Sequence, residues 1–108
     1  MKTRKILYVC NAVKWFDKVN GNTYHSVRVT RCKDGVTIAH PFTYGYGEHY
    51  QYTALEVMLK AGWLPKKYFD THMGMEGNIY LYERENKYPI LWNVSDGLKR
   101  DCIANGIL

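Results

Sequence analysis

Four histidines, three cysteines and sixteen aromatic side chains are the groups in this chain able to ligate a metal, attack an electrophile or stack on a partner. Cys32 stands between Arg31 and Lys33, whose charges would favour a thiolate, and His25 or His40 would serve as its base. A nucleophile also needs an oxyanion site, and none is legible; a buried, inert thiol is the commoner fate of cysteine. The same three residues come nearest to a metal set, yet no pair has a local zinc-type spacing. The chain is therefore read as a non-enzyme, with no catalytic residue, no metal and no cofactor.

The aromatic residues say more. Tyr44-Gly45-Tyr46-Gly47 repeats glycine at G-x-G spacing, but it lacks the third glycine and the Lys-Ser/Thr of a phosphate loop, and bulky tyrosines replace small residues. Exposed, Tyr44, Tyr46, Tyr50 and Tyr52 would form a rigid contact surface; buried, they would only pack. Phe16 and Tyr24 lie among Lys14, Lys18 and Arg28, which joins stacking platforms to phosphate-neutralising charge, as single-stranded nucleic-acid binders do. The plainer alternative is a solvated outer face.

Whether those five residues meet depends on the elements that carry them. Residues from Lys5 to Lys18 and from Thr23 to Cys32 are β-rich and flank Val19-Asn20-Gly21-Asn22, a hairpin signal. A two-residue loop at Asn20-Gly21 would mix polar and apolar groups on both faces. A three-residue loop, Val19-Asn20-Gly21, gathers Leu7, Val9, Val13, Trp15, His25, Val27 and Val29 on a core face and sends Lys14, Phe16, Lys18, Tyr24 and Arg28 to the other. That register is preferred. Asp34-Gly35 suits a type I′ turn into a third strand, with Val36, Ile38 and His40 on the core side and Pro41 as its end.

Beyond the loop over 42–52, Thr53 and Glu56 have capping-box spacing. The helix they open would present Leu55, Met58 and Leu59 inward, pair Glu56 with Lys60, and stop at Gly62 and Pro65. Met73 to Asn78 suits a loop. Ile79 to Glu83 and Tyr88 to Val94 suggest a second hairpin. Ser95 would cap a last short helix that buries Leu98, Cys102 and Ile103 and ends at Gly106. The expected fold is one α+β domain over residues 1–108: an antiparallel sheet, made of a three-stranded meander and a C-terminal hairpin, packed with one central and one C-terminal helix.

Composition bounds the function. The chain has 108 residues, 46% hydrophobic and 23% charged, enough for one folded domain. Its longest apolar run, Ile6 to Cys10, is far short of the about 20 residues a membrane helix needs and too short for a signal-peptide core. An intracellular, cytoplasmic chain with reduced thiols is expected, since three widely spaced cysteines make no disulfide framework. The net charge of +5 is uneven. Residues 1–35 hold eight basic and two acidic groups, and the remainder hold seven basic and eight acidic.

The stretch from Trp15 to Val27, together with Pro41-Phe42-Thr43-Tyr44-Gly45-Tyr46-Gly47, resembles short proteins of unknown function from tailed bacteriophages. The resemblance covers roughly residues 14–62 and brings no catalytic residue. It implies a small phage protein that binds and inhibits or redirects a host protein or nucleoprotein complex, such as an anti-defence or anti-CRISPR protein acting in the host cytoplasm. Direct binding of single-stranded nucleic acid through the basic aromatic face is the alternative.

Overall fold

A computed structural model describes residues 5–68 and 79–108 of the chain; the loop expected over 73–78 lies outside them. Three strands come first: β1 (Tyr8–Asp17), β2 (Asn22–Arg31) and β3 (Thr37–Tyr44). Helix α1 (His49–Lys60), a 3-10 turn (Lys66–Tyr68), helix α2 (Ile79–Glu85), strand β4 (Ile90–Asp96) and helix α3 (Lys99–Asn105) follow. The strands form one mixed sheet in the order β3-β2-β1-β4, antiparallel except that β4 runs parallel to β1. The α+β class and the meander are as expected from the sequence. The C-terminal hairpin is not.

That hairpin is replaced by α2 and a single strand. Ile79, Tyr82 and Glu83 are buried at i, i+3 and i+4, a helical stripe, where alternation over five residues had suggested a strand. Left-handed Lys87 and Tyr88 then turn the chain into β4. The short link from α2 leaves β4 beside β1, where the Pro89 carbonyl accepts the Leu7 amide at 2.8 Å.

The first hairpin differs in register. Asp17 pairs with Asn22, so four residues bridge the strands, and odd positions of β1 share a face with even positions of β2. The Asp17 carboxylate accepts the amides of Val19 (3.0 Å) and Asn20 (3.3 Å), which stabilises this longer turn, and Gly21 takes the expected left-handed conformation. The core residues of β1 are therefore Tyr8, Cys10 and Ala12, opposite Val27 and Val29, rather than Leu7, Val9, Val13 and Trp15. Both faces of β1 are covered, so both carry apolar side chains and alternation could not distinguish them.

On one face, α1 and α2 pack Ala54, Leu55, Met58, Ile79 and Tyr82 against Cys10, Val27, Val29 and Ile90. Burying Leu55 and Met58 completely contributes about 1.5–3 kcal/mol each. α1 starts at His49, ahead of the expected Thr53 cap, because Tyr50 is buried edge-on against Trp92 and extends the packed stripe upstream. Its end is as expected: Gly62 has φ +75°, and the Trp63 and Gly62 amides bond back to Met58 and Leu59. Lys60 and Glu56 pair at 2.7 Å.

On the other face lies α3. Pairing of β4 with β1 as far as Asp96 opposite Lys14 draws Ser95 and Asp96 into the sheet, so the helix opens after Leu98, whose amide bonds the Asp101 carboxylate at 3.0 Å. Of the three residues expected inward, only Cys102 is buried. Ser26 donates to the Cys102 carbonyl and Asn105 reaches the Asn11 carbonyl at 3.0 Å.

Two details of β3 also depart from expectation. Asp34 lacks the positive φ of a type I′ turn; it is held instead by Arg31 at 2.7 Å and by the Val36 amide. Pro41 does not end the strand. Ser26 faces both Pro41 and Phe42 in a bulge on this edge strand, where a missing amide proton breaks no ladder bond. Ile38 and His40 do join Val29 and Val27, as expected. Among the described residues, no helix is long and apolar enough to cross a membrane.

Candidate binding surface

The register divides the basic aromatic face. Lys14 and Phe16 project on the α1 side, and Tyr24 and Arg28 project on the α3 side. Lys18 lies exposed in the turn. The Lys14 ammonium sits 5.8 Å from the centre of the Tyr50 ring. Arg28 is committed within the fold: its guanidinium donates to the carbonyls of Ile107 (2.6 Å), Asn105 (3.3 Å) and Ala104 (3.4 Å), at and just beyond the C-terminal end of α3, where the helix dipole favours a cation.

Tyr24 belongs to an aromatic stack. Its ring lies 4.8 Å from Phe42, nearly parallel at 11°, and 5.6 Å from Trp15, inclined at 29°, and Tyr44 meets it edge-on at 5.7 Å. The Lys99 ammonium covers Trp15 at 5.4 Å. The three-residue loop expected from the sequence would place Trp15 in the core; the observed register sets it beside Tyr24 instead. Phe42, two residues before Tyr44 and beside the bulge, stacks on Tyr24 from the neighbouring strand.

The tyrosine segment divides by depth. Tyr50 is buried and Tyr52 half-buried, while Tyr44 and Tyr46 are 53% and 71% exposed. Tyr44, Tyr46 and Tyr52, with Tyr80 of α2, line a pocket of about 360 Å³ completed by Glu48 and His49. Gly45 lies at its base and requires the absence of a side chain, since a Cβ there would stand 2.6 Å from His25 and 2.8 Å from His49. His25, only 1% exposed, donates from Nδ1 to the Gly45 carbonyl at 3.0 Å, which leaves Nε2 to accept the Thr53 hydroxyl at 2.7 Å. Burial lowers its pKa to about 4, so the ring is neutral.

Tyr80 separates this pocket from a second groove of about 390 Å³ that shares Glu48 and runs along Gln51, Arg84 and Trp92. The Tyr80 phenol donates to Glu48 at 3.3 Å, and its pKa is raised, chiefly by hydrogen bonding to Tyr52 and further by the Glu48 charge. Tyr80 escaped notice in the sequence because 79–83 suggested a strand.

The cysteine and histidine constellation is not assembled. Cys32 is exposed beyond the far end of β2, and Arg31 is six strand steps from His25, a span of roughly 20 Å. Arg31 is paired with Asp34 and lies 4.6 Å above the Trp63 ring. Cys10 and Cys102 are buried. Among the described residues, no three His, Cys, Asp or Glu side chains are grouped to hold a metal ion. No protein-family model, curated protein or solved structure matches the chain.

Proposed function

We propose that this chain is a non-catalytic phage protein that binds, and thereby inhibits or redirects, a host protein or nucleoprotein complex in the host cytoplasm. The observation that supports this reading is the outward setting of Phe16, Tyr44 and Tyr46 on well-packed strands and their adjoining loop. Aromatic rings held by a scaffold lose little conformational entropy on docking, and such anchors carry most of the energy of protein interfaces.

The alternative, single-stranded nucleic acid on the hairpin, has less support, because Lys14 and Phe16 are parted from Tyr24 and Arg28 by the thickness of the sheet. It keeps the Trp15-Tyr24-Phe42 stack with Lys99 at its edge.

A photo-crosslinking residue placed at Tyr46, and in a control at Lys60, tests the reading in host lysate. One discrete protein crosslinked from position 46 and not from 60 is the expected result. Crosslinking to nucleic acid alone would favour the alternative, and no specific product from position 46 would remove both.

A further inference from the structure

Tyr44, Tyr46, Tyr52 and Tyr80 come from the β3–α1 segment and from α2, which are far apart in sequence, yet all four residues line one pocket. Tyr52 and Tyr80 stand 5.9 Å apart at 83°, so two walls meet at nearly a right angle. Glu48 brings a carboxylate to the rim, the only Asp, Glu, Lys or Arg side chain lining the pocket among the described residues. Ring faces are negative through their quadrupoles, and several faces with one carboxylate attract a cation.

The shape selects among cations. A planar guanidinium is best held between parallel rings, whereas perpendicular walls suit a rounded head. A bare ammonium is strongly hydrated and gives up more solvation than a methylated one on entering a space walled mainly by aromatic rings. A methylated ammonium has little hydration to lose and the bulk to use a pocket of this size. Beyond Tyr80, the second groove offers room for the chain that bears such a head, with Gln51 and Trp92 along it.

We propose that this pocket is an aromatic cage for a methylated lysine side chain of a protein partner. The inference rests on the binding role proposed above and names the chemistry recognised there. Tyr52 and Tyr80 form the walls, the exposed Tyr46 adds to the lining, and Glu48 supplies the counter-charge.

The test is a calorimetric and amide-NMR titration of the full chain with a peptide carrying trimethyllysine. Parallel titrations use the unmodified lysine peptide, a peptide with the neutral tert-butyl isostere, and free choline. The trimethyllysine peptide should shift the amides of residues 45–49 and 80 and bind about tenfold or more tightly than the neutral isostere. Tyr80→Ala and Glu48→Gln, both at exposed positions, should each weaken it while the circular dichroism stays unchanged.

Equal affinity for the neutral isostere, or affinity unmoved by Tyr80→Ala, would overturn the cage. Choline binding as tightly as the peptide would overturn the protein-borne source. Loss of crosslinking from position 46 with intact trimethyllysine binding would count against the partner reading alone, and the converse pair of results against the cage alone.

Discussion

The Thr53 hydroxyl, inside α1, donates to Nε2 of His25 across 2.7 Å, joining the central helix to β2 beneath the tyrosine segment. The contact holds only while the imidazole is neutral, because a protonated ring has no acceptor nitrogen. Thr53 Oγ1 also lies 3.3 Å from the His49 carbonyl, to which it can turn when Nε2 is lost as an acceptor.

Stability should therefore fall in mild acid. His25 has a pKa of about 4 in the fold against 6.5 when unfolded, with burial the largest cause and the His49, His40 and Lys14 charges adding to it. The unfolded chain binds the extra proton between these values. The contribution of neutral His25 is complete above pH 6.5 and is lost progressively toward pH 4, on the order of 3 kcal/mol in all. Urea denaturation from pH 7.5 to 5 should show the decline, and His25→Gln should flatten it. An unchanged slope in that variant would assign the pH dependence elsewhere.

Arg28 should act on stability rather than on ligand binding. Arg28→Ala leaves the carbonyls of Asn105 and Ile107 without their charged donor and should cost about 1–3 kcal/mol. Arg28→Lys should recover only part of this, because one ammonium cannot span the three carbonyls. Chemical denaturation of the two variants would rank them.

Gly106 should tolerate no side chain. A Cβ there would lie 2.6 Å from the His40 carbonyl oxygen and 2.8 Å from Pro41 Cα, both backbone atoms that cannot swing away. Gly106→Ala should destabilise by about 1–3 kcal/mol through overpacking. Hydrogen exchange would show the loss first in α3. At Gly97, the nearest atoms are side chains at 3.1 and 3.2 Å, so Gly97→Ala should cost less.

The thiols should react in two classes. Cys32 is exposed, whereas burial raises the Cys10 pKa to about 12 and also raises that of Cys102. In the native state, a thiol reagent should modify Cys32 quickly and leave the other two protected; in denaturant all three should react. Mass spectrometry after brief alkylation reads both counts.

Local chemistry was legible wherever a few neighbouring residues decide the outcome. Gly21, Gly35 and Gly62 adopt left-handed backbone, Glu56 and Lys60 pair one turn apart, and Gly106 follows the last helix, all at positions the sequence points to. The α+β class followed from β-rich runs set beside a helical stripe. Tyr44 and Tyr46, singled out for their composition, do stand exposed.

What the sequence left open are relations between distant segments. A hairpin one residue longer reverses which side chains share a face, and the Asp17 contacts that stabilise it compete with an apolar pattern that a strand covered on both sides cannot supply. That one residue placed Lys14 and Phe16 opposite Tyr24 and Arg28. Tyr80 joined the tyrosine pocket because burial of Ile79, Tyr82 and Glu83 made its segment a helix, a choice settled by packing against the sheet. Residue types and local turns are written in the chain, whereas the faces and pockets they build are decided by register and burial, which exist only once the sheet has formed.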